Sequence, residues 1–338
     1  VKAYKKFVNT GWFSIIGEKK YGGQDLPLSV VVMINEIWHS TNMSFATNNM
    51  LTQGAVELLE SHGNEKQKEY YLPNLISGKW SGTMNLTEPH AGSDLSSIKT
   101  KAIEKDKKFL IKGTKIYITH GDQDMSDNII HLVLAKLPDA PDGVRGISLF
   151  LVPKYYLNDK GTKVKNDIKV VSVEHKLGHH ASPTCVLSFG ENEGAIGELV
   201  GEPNQGLKAM FTMMNNARLN VGVQGLAISE RAYQKALSFS KERIQGYSLN
   251  KNITGPVEII KHPDVKRMLM EMKSQTEAMR GLAITTGNFI DKYKNFPNSP
   301  EGKECLFISN LLTPIVKAWC TDQSIYITSL GVQIHGGM

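Results

Sequence analysis

Twice along this chain the spacing of apolar side chains changes period, and that restricts the fold more than any single motif does. Residues 1–80 carry helical spacing, residues 81–202 break into short alternating runs, and residues 203–338 return to helical spacing. A helix repeats every 3.6 residues and a strand every two, so one pattern cannot serve as the other. The order predicts an α+β protein, with an N-terminal helical domain over 1–80, a middle β domain over 81–202 and a C-terminal long-helix bundle over 203–338. A sheet placed between two helical blocks is an unusual layout and leaves few families to consider.

Within the first block, helices are expected at Leu28–Trp38, at Gly54–His62 ending on Gly63, and at Glu65–Leu75 with Pro73 near its end. Val1 begins in what reads as the end of a helix, so residues are expected to precede it. Strands are expected at Phe109–Thr119 around a turn at Lys112-Gly113, then at Ile129–Leu137, Ile147–Val152, Ile168–Val173 and Cys185–Phe189. Turn signals stand at Pro141-Asp142-Gly143, Asp159-Lys160-Gly161 and Glu193-Gly194. In the last block Leu207, Met210, Phe211, Met214, Ala217 and Val221 recur at three and four, up to about Ile244. At 1.5 Å per residue this helix is roughly 60 Å long, and its methionines read as core packing, not as a cofactor box. A second helix follows from Pro263 to about Tyr293, and a third includes Thr313–Ser329, with Pro314 at its start or at a kink.

No run approaches the roughly 20 apolar residues of a membrane span. Cys185, Cys305 and Cys320 have neither metal nor redox spacing, which suits a reducing cytoplasm better than a disulfide framework. The net charge of +6 admits nucleic acid or an anionic ligand. Its lysines are scattered, however, and Lys99, Lys101, Lys105, Lys107, Lys108, Lys112 and Lys115 read as the wet face of a hairpin, so no nucleic-acid partner is expected.

Chemistry concentrates in a polar loop, Met84–Ser97, of sequence MNLTEPHAGSDLSS. It follows a short extended segment, and its hydroxyls and backbone N–H groups can be aimed at one ligand. Gly92 permits close backbone approach, while Ser93 and Asp94 can brace the turn. An ordinary surface loop looks much the same. A second site is the strand end Ile116-Tyr117-Ile118-Thr119, running into His120-Gly121-Asp122. His175, His179 and His180 lie close in sequence, but Gly178 and the flanking strands oppose a helical pair, and no neighbouring Cys or carboxylate completes a metal site. Arg218 sits inside an apolar helical stripe and needs a counter-charge. Arg243 ends the same helix, and Gln333-Ile334-His335-Gly336-Gly337-Met338 holds two glycines that allow approach to a phosphate.

Leu86, Thr87, Glu88, Pro89, Ala91, Gly92, Ser93 and Asp94 fall on L-T-E-P-x-A-G-S-D, a signature of the acyl-CoA dehydrogenase family, and the chain resembles that family along its whole length. Asn85 departs from it, because many members have a small residue or cysteine there. The subgroup it resembles most includes 3-methylthiopropanoyl-CoA dehydrogenases, on Ile129–Gly143 and Glu174–Gly178. The resemblance implies a middle β-barrel and noncovalent FAD, held by Met84, Leu86, Thr87, Ser93, Tyr117 and Thr119. Arg243, Gln333, Gly336 and Gly337 would reach the FAD of a neighbouring subunit in a homodimer or homotetramer. Ser93, Asn215 and Arg218 would line the acyl-CoA site, and an electron-transfer flavoprotein would take the electrons.

The implied reaction is α,β-dehydrogenation of a thioester, with 3-methylthiopropanoyl-CoA or a fatty acyl-CoA as substrate. Its base is a glutamate that family members carry shortly after the diglycine or, in a minority, at the position of Ala217. No catalytic residue is therefore expected within 1–338, and the chain is expected to be an inactive fragment of a longer enzyme. If a base does lie here, Glu88 is the first candidate. An acyl-CoA oxidase, or a non-catalytic FAD- and DNA-binding relative, is the alternative.

Overall fold

The computed structural model describes residues 1–337 except Lys107, Asp159, Lys251 and Ile253. The expectations that fall on Lys107, on Asp159 and on Met338 thus lie outside the described residues.

The chain divides into two compact units, Val1–Leu26 with Ser44–Ala217, and Pro27–Met43 with Arg218–Met338. Its helices are α1 (Lys2–Asn9), α2 (Leu28–His62), α3 (Glu65–Ile76), α4 (Gly206–Glu242), α5 (Pro263–Asn295) and α6 (Pro300–Ile334). The strands are β1 (Trp80–Asn85), β2 (Lys101–Lys105), β3 (Lys108–Thr119), β4 (Asn128–Lys136), β5 (Ile147–Pro153), β6 (Tyr155–Leu157), β7 (Lys163–Lys165), β8 (Ile168–Val173), β9 (Thr184–Phe189), β10 (Ala195–Val200), β11 (Ile244–Tyr247) and β12 (Pro256–Glu258).

The main sheet of the first unit runs β1-β4-β5-β10-β3-β9-β8, and β2 pairs with both β3 and β4. Through β2 the path β4-β5-β10-β3 returns to β4, so these strands close into a barrel. Closure pairs strands that would be edges in an open sheet, while β1 and β8 still end the path. Ala102, Ile111, Val133, Phe150, Val152 and Leu187 fill its interior. Every residue of β4 but Lys136 is buried, because both faces of the strand are covered. Gly82 of β1 packs so tightly on α2 that a Cβ there would lie 2.4 Å from the Ala55 Cβ. A capping box between Asn64 and Gln67 starts α3.

The sequence places a turn at Lys112-Gly113, but β3 runs straight through it. Gly113 is needed for close approach instead: a Cβ there would lie 2.3 Å from the Thr100 hydroxyl. The hairpin turns earlier, where Lys105 pairs with Lys108.

The second unit packs Val32 of α2 with Leu219, Val223 and Leu226 of α4, Met272 and Met279 of α5, and Val316 and Cys320 of α6. The two helices expected at Leu28–Trp38 and Gly54–His62 are one, α2, broken only at Asn42, whose φ of −152° and ψ of 94° leave the helical region. Arg231 donates to the carbonyls of Ser40 and Thr41 just before the break. The third long helix starts at Pro300, well before Thr313. Ser299 caps it by accepting from the Gly302 N–H, and Pro314 is accommodated within it. On α4 the expected stripe is partly displaced: Met210 and Met213 are buried, whereas Phe211 is 40% exposed. Among the described residues no helix is long and apolar enough to cross a membrane.

Candidate functional site

As it leaves β1, the chain is bent by a tight exchange of backbone hydrogen bonds. Glu88 N donates to Ala91 O at 2.9 Å and Ala91 N donates to Glu88 O at 3.0 Å, with Pro89 and His90 at the corner. Farther on, Asp94 accepts from the backbone and hydroxyl of Ser96, an Asx turn of the kind such a residue favours. Gly92 has no close neighbour that a side chain would meet, only Thr87 at 3.8 Å, so the protein's own packing does not demand a glycine there.

The anchor of this loop is a buried ion pair. Lys115 on β3 is wholly buried and donates to the Glu88 carboxylate at 2.8 Å and to the Leu86 carbonyl at 2.9 Å. Glu88 also accepts from the backbone N–H groups of Lys99 and Thr100, and from the Thr100 hydroxyl. Lys115 therefore does not belong to the solvated lysine face on which its sequence neighbours placed it. Burial disfavours the charged carboxylate, but the Lys115 charge and these hydrogen bonds outweigh it and hold Glu88 below the ordinary carboxylate range. Burial likewise lowers the Lys115 ammonium. A carboxylate with four donors is a brace and a poor proton acceptor, so Glu88 is not the base.

Across from the loop, β3 is bulged. Its pairing with β9 slips between Lys115 and Ile118, and Tyr117 takes a φ of +59°. Left-handed backbone at an aromatic residue costs about 1–3 kcal/mol and persists only where its surroundings impose it. The bulge turns Tyr117 outward, leaving it 61% exposed, and Ile116 N donates to Thr87 O at 2.9 Å. Loop and strand thus meet at a cavity of about 130 Å³ lined by Leu51, Met84, Leu86, Thr87, Ile116, Tyr117, Ile118 and Thr119. The wall is apolar, with two threonine hydroxyls and one phenol, and the nearby ammonium of Lys115 points inward to Glu88.

Five of the residues singled out from sequence, Met84, Leu86, Thr87, Tyr117 and Thr119, meet at this cavity. Ser93 lies exposed on the same loop and is not in the lining. Asn215 is exposed on α4 in the first unit. In the second unit Arg218 is half-buried, and Arg243 and Gln333 are exposed near helix ends. Gly336 and Gly337 have φ of +81° and +88° and cap α6, their N–H groups donating to Gln333 O and Val332 O. Among the described residues no group of three or more His, Cys, Asp or Glu is placed to hold a metal.

Leu51 escaped the reading of the sequence, which set Lys115 on a wet face and named Glu88 only as a possible base, missing the pair they form. Lys115 shares strand parity with Ile111, an inward position, and that alternation was the one available signal.

Behind β1, His131 of β4 is buried, with Nδ1 2.7 Å from the Thr83 hydroxyl, which also accepts from the Asn85 amide. Burial pushes its pKa down to about 3. An unfolded histidine protonates near 6.5. Between these two values the unfolded state binds the proton, so stability falls as pH falls through that window, by up to about 1.4 kcal/mol per pH unit. In His131→Gln the unfolding free energy should decline less between pH 6.5 and 5 than in the parent. Identical slopes in denaturant titrations would show that His131 does not contribute.

The family models for acyl-CoA dehydrogenase match in order: the N-terminal domain at residues 1–79, the middle domain at 83–191 and the C-terminal domain at 204–338. The chain is 49% identical to the 3-methylmercaptopropionyl-CoA dehydrogenase of Ruegeria pomeroyi, in an alignment that covers 99% of this chain and 57% of that protein. With an acyl-CoA dehydrogenase of Bacillus subtilis it shares 31% identity over 98% of this chain and 79% of that one. The solved butyryl-CoA dehydrogenase of Megasphaera elsdenii superimposes with a TM-score of 0.79 at 26% identity, over 99% of this chain and 80% of that chain.

Proposed function

This chain belongs to the acyl-CoA dehydrogenase family, and on that premise we propose that it holds FAD and the acyl thioester for α,β-dehydrogenation of an acyl-CoA. The observation that carries this reading is the meeting of the Leu86–Thr87 loop and the bulged Tyr117–Thr119 strand at one cavity. Its chemistry fits a flat redox group. Leu86, Met84 and Ile116 give apolar contact, Thr87 and Thr119 offer neutral hydroxyls, and Tyr117 presents an aromatic ring. A fixed cation or carboxylate facing the ring would bias its electron affinity, and the one ion pair close by is turned away and neutralised.

Bound FAD would accept the hydride from the β carbon. The chain's own residues bind, orient and keep water out. Ser93, Asn215 and Arg218 are assigned to the acyl-CoA, and Arg243, Gln333, Gly336 and Gly337 to the FAD of a second subunit in a homodimer or homotetramer. Arginine suits such a diphosphate because its planar fork bonds two oxygens at once. Position 217 is alanine and Glu88 is committed to Lys115, so neither position is assigned the α proton. An electron-transfer flavoprotein is the proposed acceptor. The three cysteines are buried free thiols, in keeping with a cytoplasmic setting.

The substrate is proposed to be 3-methylthiopropanoyl-CoA or a fatty acyl-CoA. Support comes from the Ruegeria pomeroyi relative; this chain spans 57% of that relative's length.

Tyr117→Gly separates fold from function. Glycine relieves the left-handed strain, so the melting temperature should hold or rise, while FAD affinity falls about tenfold or more. Thr119→Val should weaken FAD or shift its midpoint potential. Flavin absorbance, affinity and potential unchanged in both variants would remove this cavity from the flavin site.

A further inference from the structure

A second cavity, of about 300 Å³, lies at the other end of β1. Trp80 opens the strand, and six residues of extended chain, about 20 Å, separate it from Leu86. Tyr70 and Tyr71 of α3, Trp80 of β1, and Tyr155 and Tyr156 of β6 line this cavity, with Glu198 of β10. None of them belongs to the flavin site.

Three of the rings form a corner. Tyr70 meets Tyr71 at 4.9 Å and 87°, and Trp80 at 5.5 Å and 66°, while Tyr71 and Trp80 stand 6.0 Å apart at 58°. The Glu198 carboxylate is fixed beside them. It accepts from the Tyr71 hydroxyl at 2.7 Å and from the Gln67 amide at 3.3 Å. The chain's own cations already use this wall, with Lys163 Nζ 4.6 Å and Lys154 Nζ 5.6 Å from the Tyr155 ring centre.

An aromatic face attracts a cation through its quadrupole, and the attraction is strongest for cations that give up water readily. A methylated ammonium is such a cation, and it also fills an apolar corner. We propose that this cavity binds a small ligand carrying a methylated ammonium group, with Tyr70, Trp80 and Tyr156 as walls and Glu198 as counter-charge. Lys108 faces the same space as Glu198, and Lys154 and Lys163 already occupy the Tyr155 face, so the remaining rings and not net charge decide the preference.

The test is calorimetric titration of the chain with choline and with its uncharged tert-butyl isostere. Choline should bind saturably and at least about fivefold tighter than the isostere, the scale of one solvent-exposed cation–π contact. Glu198→Gln and Tyr70→Ala should each weaken choline at least about threefold, and Tyr70 is 45% exposed, so the second variant leaves the core intact. Equal affinity for the two probes, or no saturable heat with millimolar choline, would overturn the proposal whatever the variants do.

Discussion

Lys115→Met is expected to cost about 3–5 kcal/mol of folding stability, the usual penalty for leaving a buried charge without its partner. The cause lies at Glu88, which is 3% exposed and would keep its carboxylate in a site built for an ion pair. Thr100 and the Lys99 and Thr100 amides would still donate to it, but hydrogen bonds alone do not replace the lost charge. The same substitution frees the Leu86 carbonyl, so the cavity wall should loosen and, on the proposed assignment of that cavity, FAD should bind more weakly. Lys115→Met combined with Glu88→Gln should recover much of the loss, since a neutral pair of similar volume is often tolerated where a broken ion pair is not. Denaturant unfolding of the two single variants and the double variant checks this. Additive losses would mean that the pair is not coupled.

Arg280→Met should be the next largest loss, about 2–3 kcal/mol. In the second unit Arg280 of α5 clamps two carboxylates from different helices. Its Nε and Nη2 reach both oxygens of Glu36 on α2 at 2.7–3.1 Å, and Nη2 reaches Glu230 on α4 at 2.6 Å. Glu36 is 8% exposed, so removing the cation strands it, while partial exposure of Arg280 keeps the figure below that for Lys115. Hydrogen bonds to the two glutamates, Glu36 first, raise the guanidinium pKa further above its ordinary value, so Arg280 keeps its charge. Arg280→Lys should regain less than half of the loss, because an ammonium lacks the fork that bonds both carboxylates. Full recovery by lysine in thermal unfolding would show that charge alone matters there.

The two sites differ in how visible they are in the sequence. Thr87, Tyr117 and Thr119 announced themselves because their residue types and order match a known pattern. Arg280 and Glu36 are 244 positions apart, and no local rule pairs them. Lys115 was misread for a similar reason. Lysines surround it in sequence, and its strand parity with the buried Ile111 is outvoted there until the loop packs onto β3.

The succession of helical, β and helical blocks was legible in the sequence, as were β3, β4 and β5 of the barrel and five of the residues that meet at the cavity beside Thr87, whereas β10 was not. Period and turn chemistry are local properties, so they can be read from neighbours. Tertiary structure alone decided which lysine is buried, that one helix spans Leu28–His62 through a break at Asn42, that β3 passes straight through Gly113, and that Tyr117 is held left-handed by a bulge. Each of these depends on what a distant segment places opposite the residue. Burial and pairing are properties of the closed fold, and a chain carries them only as a pattern that closure completes.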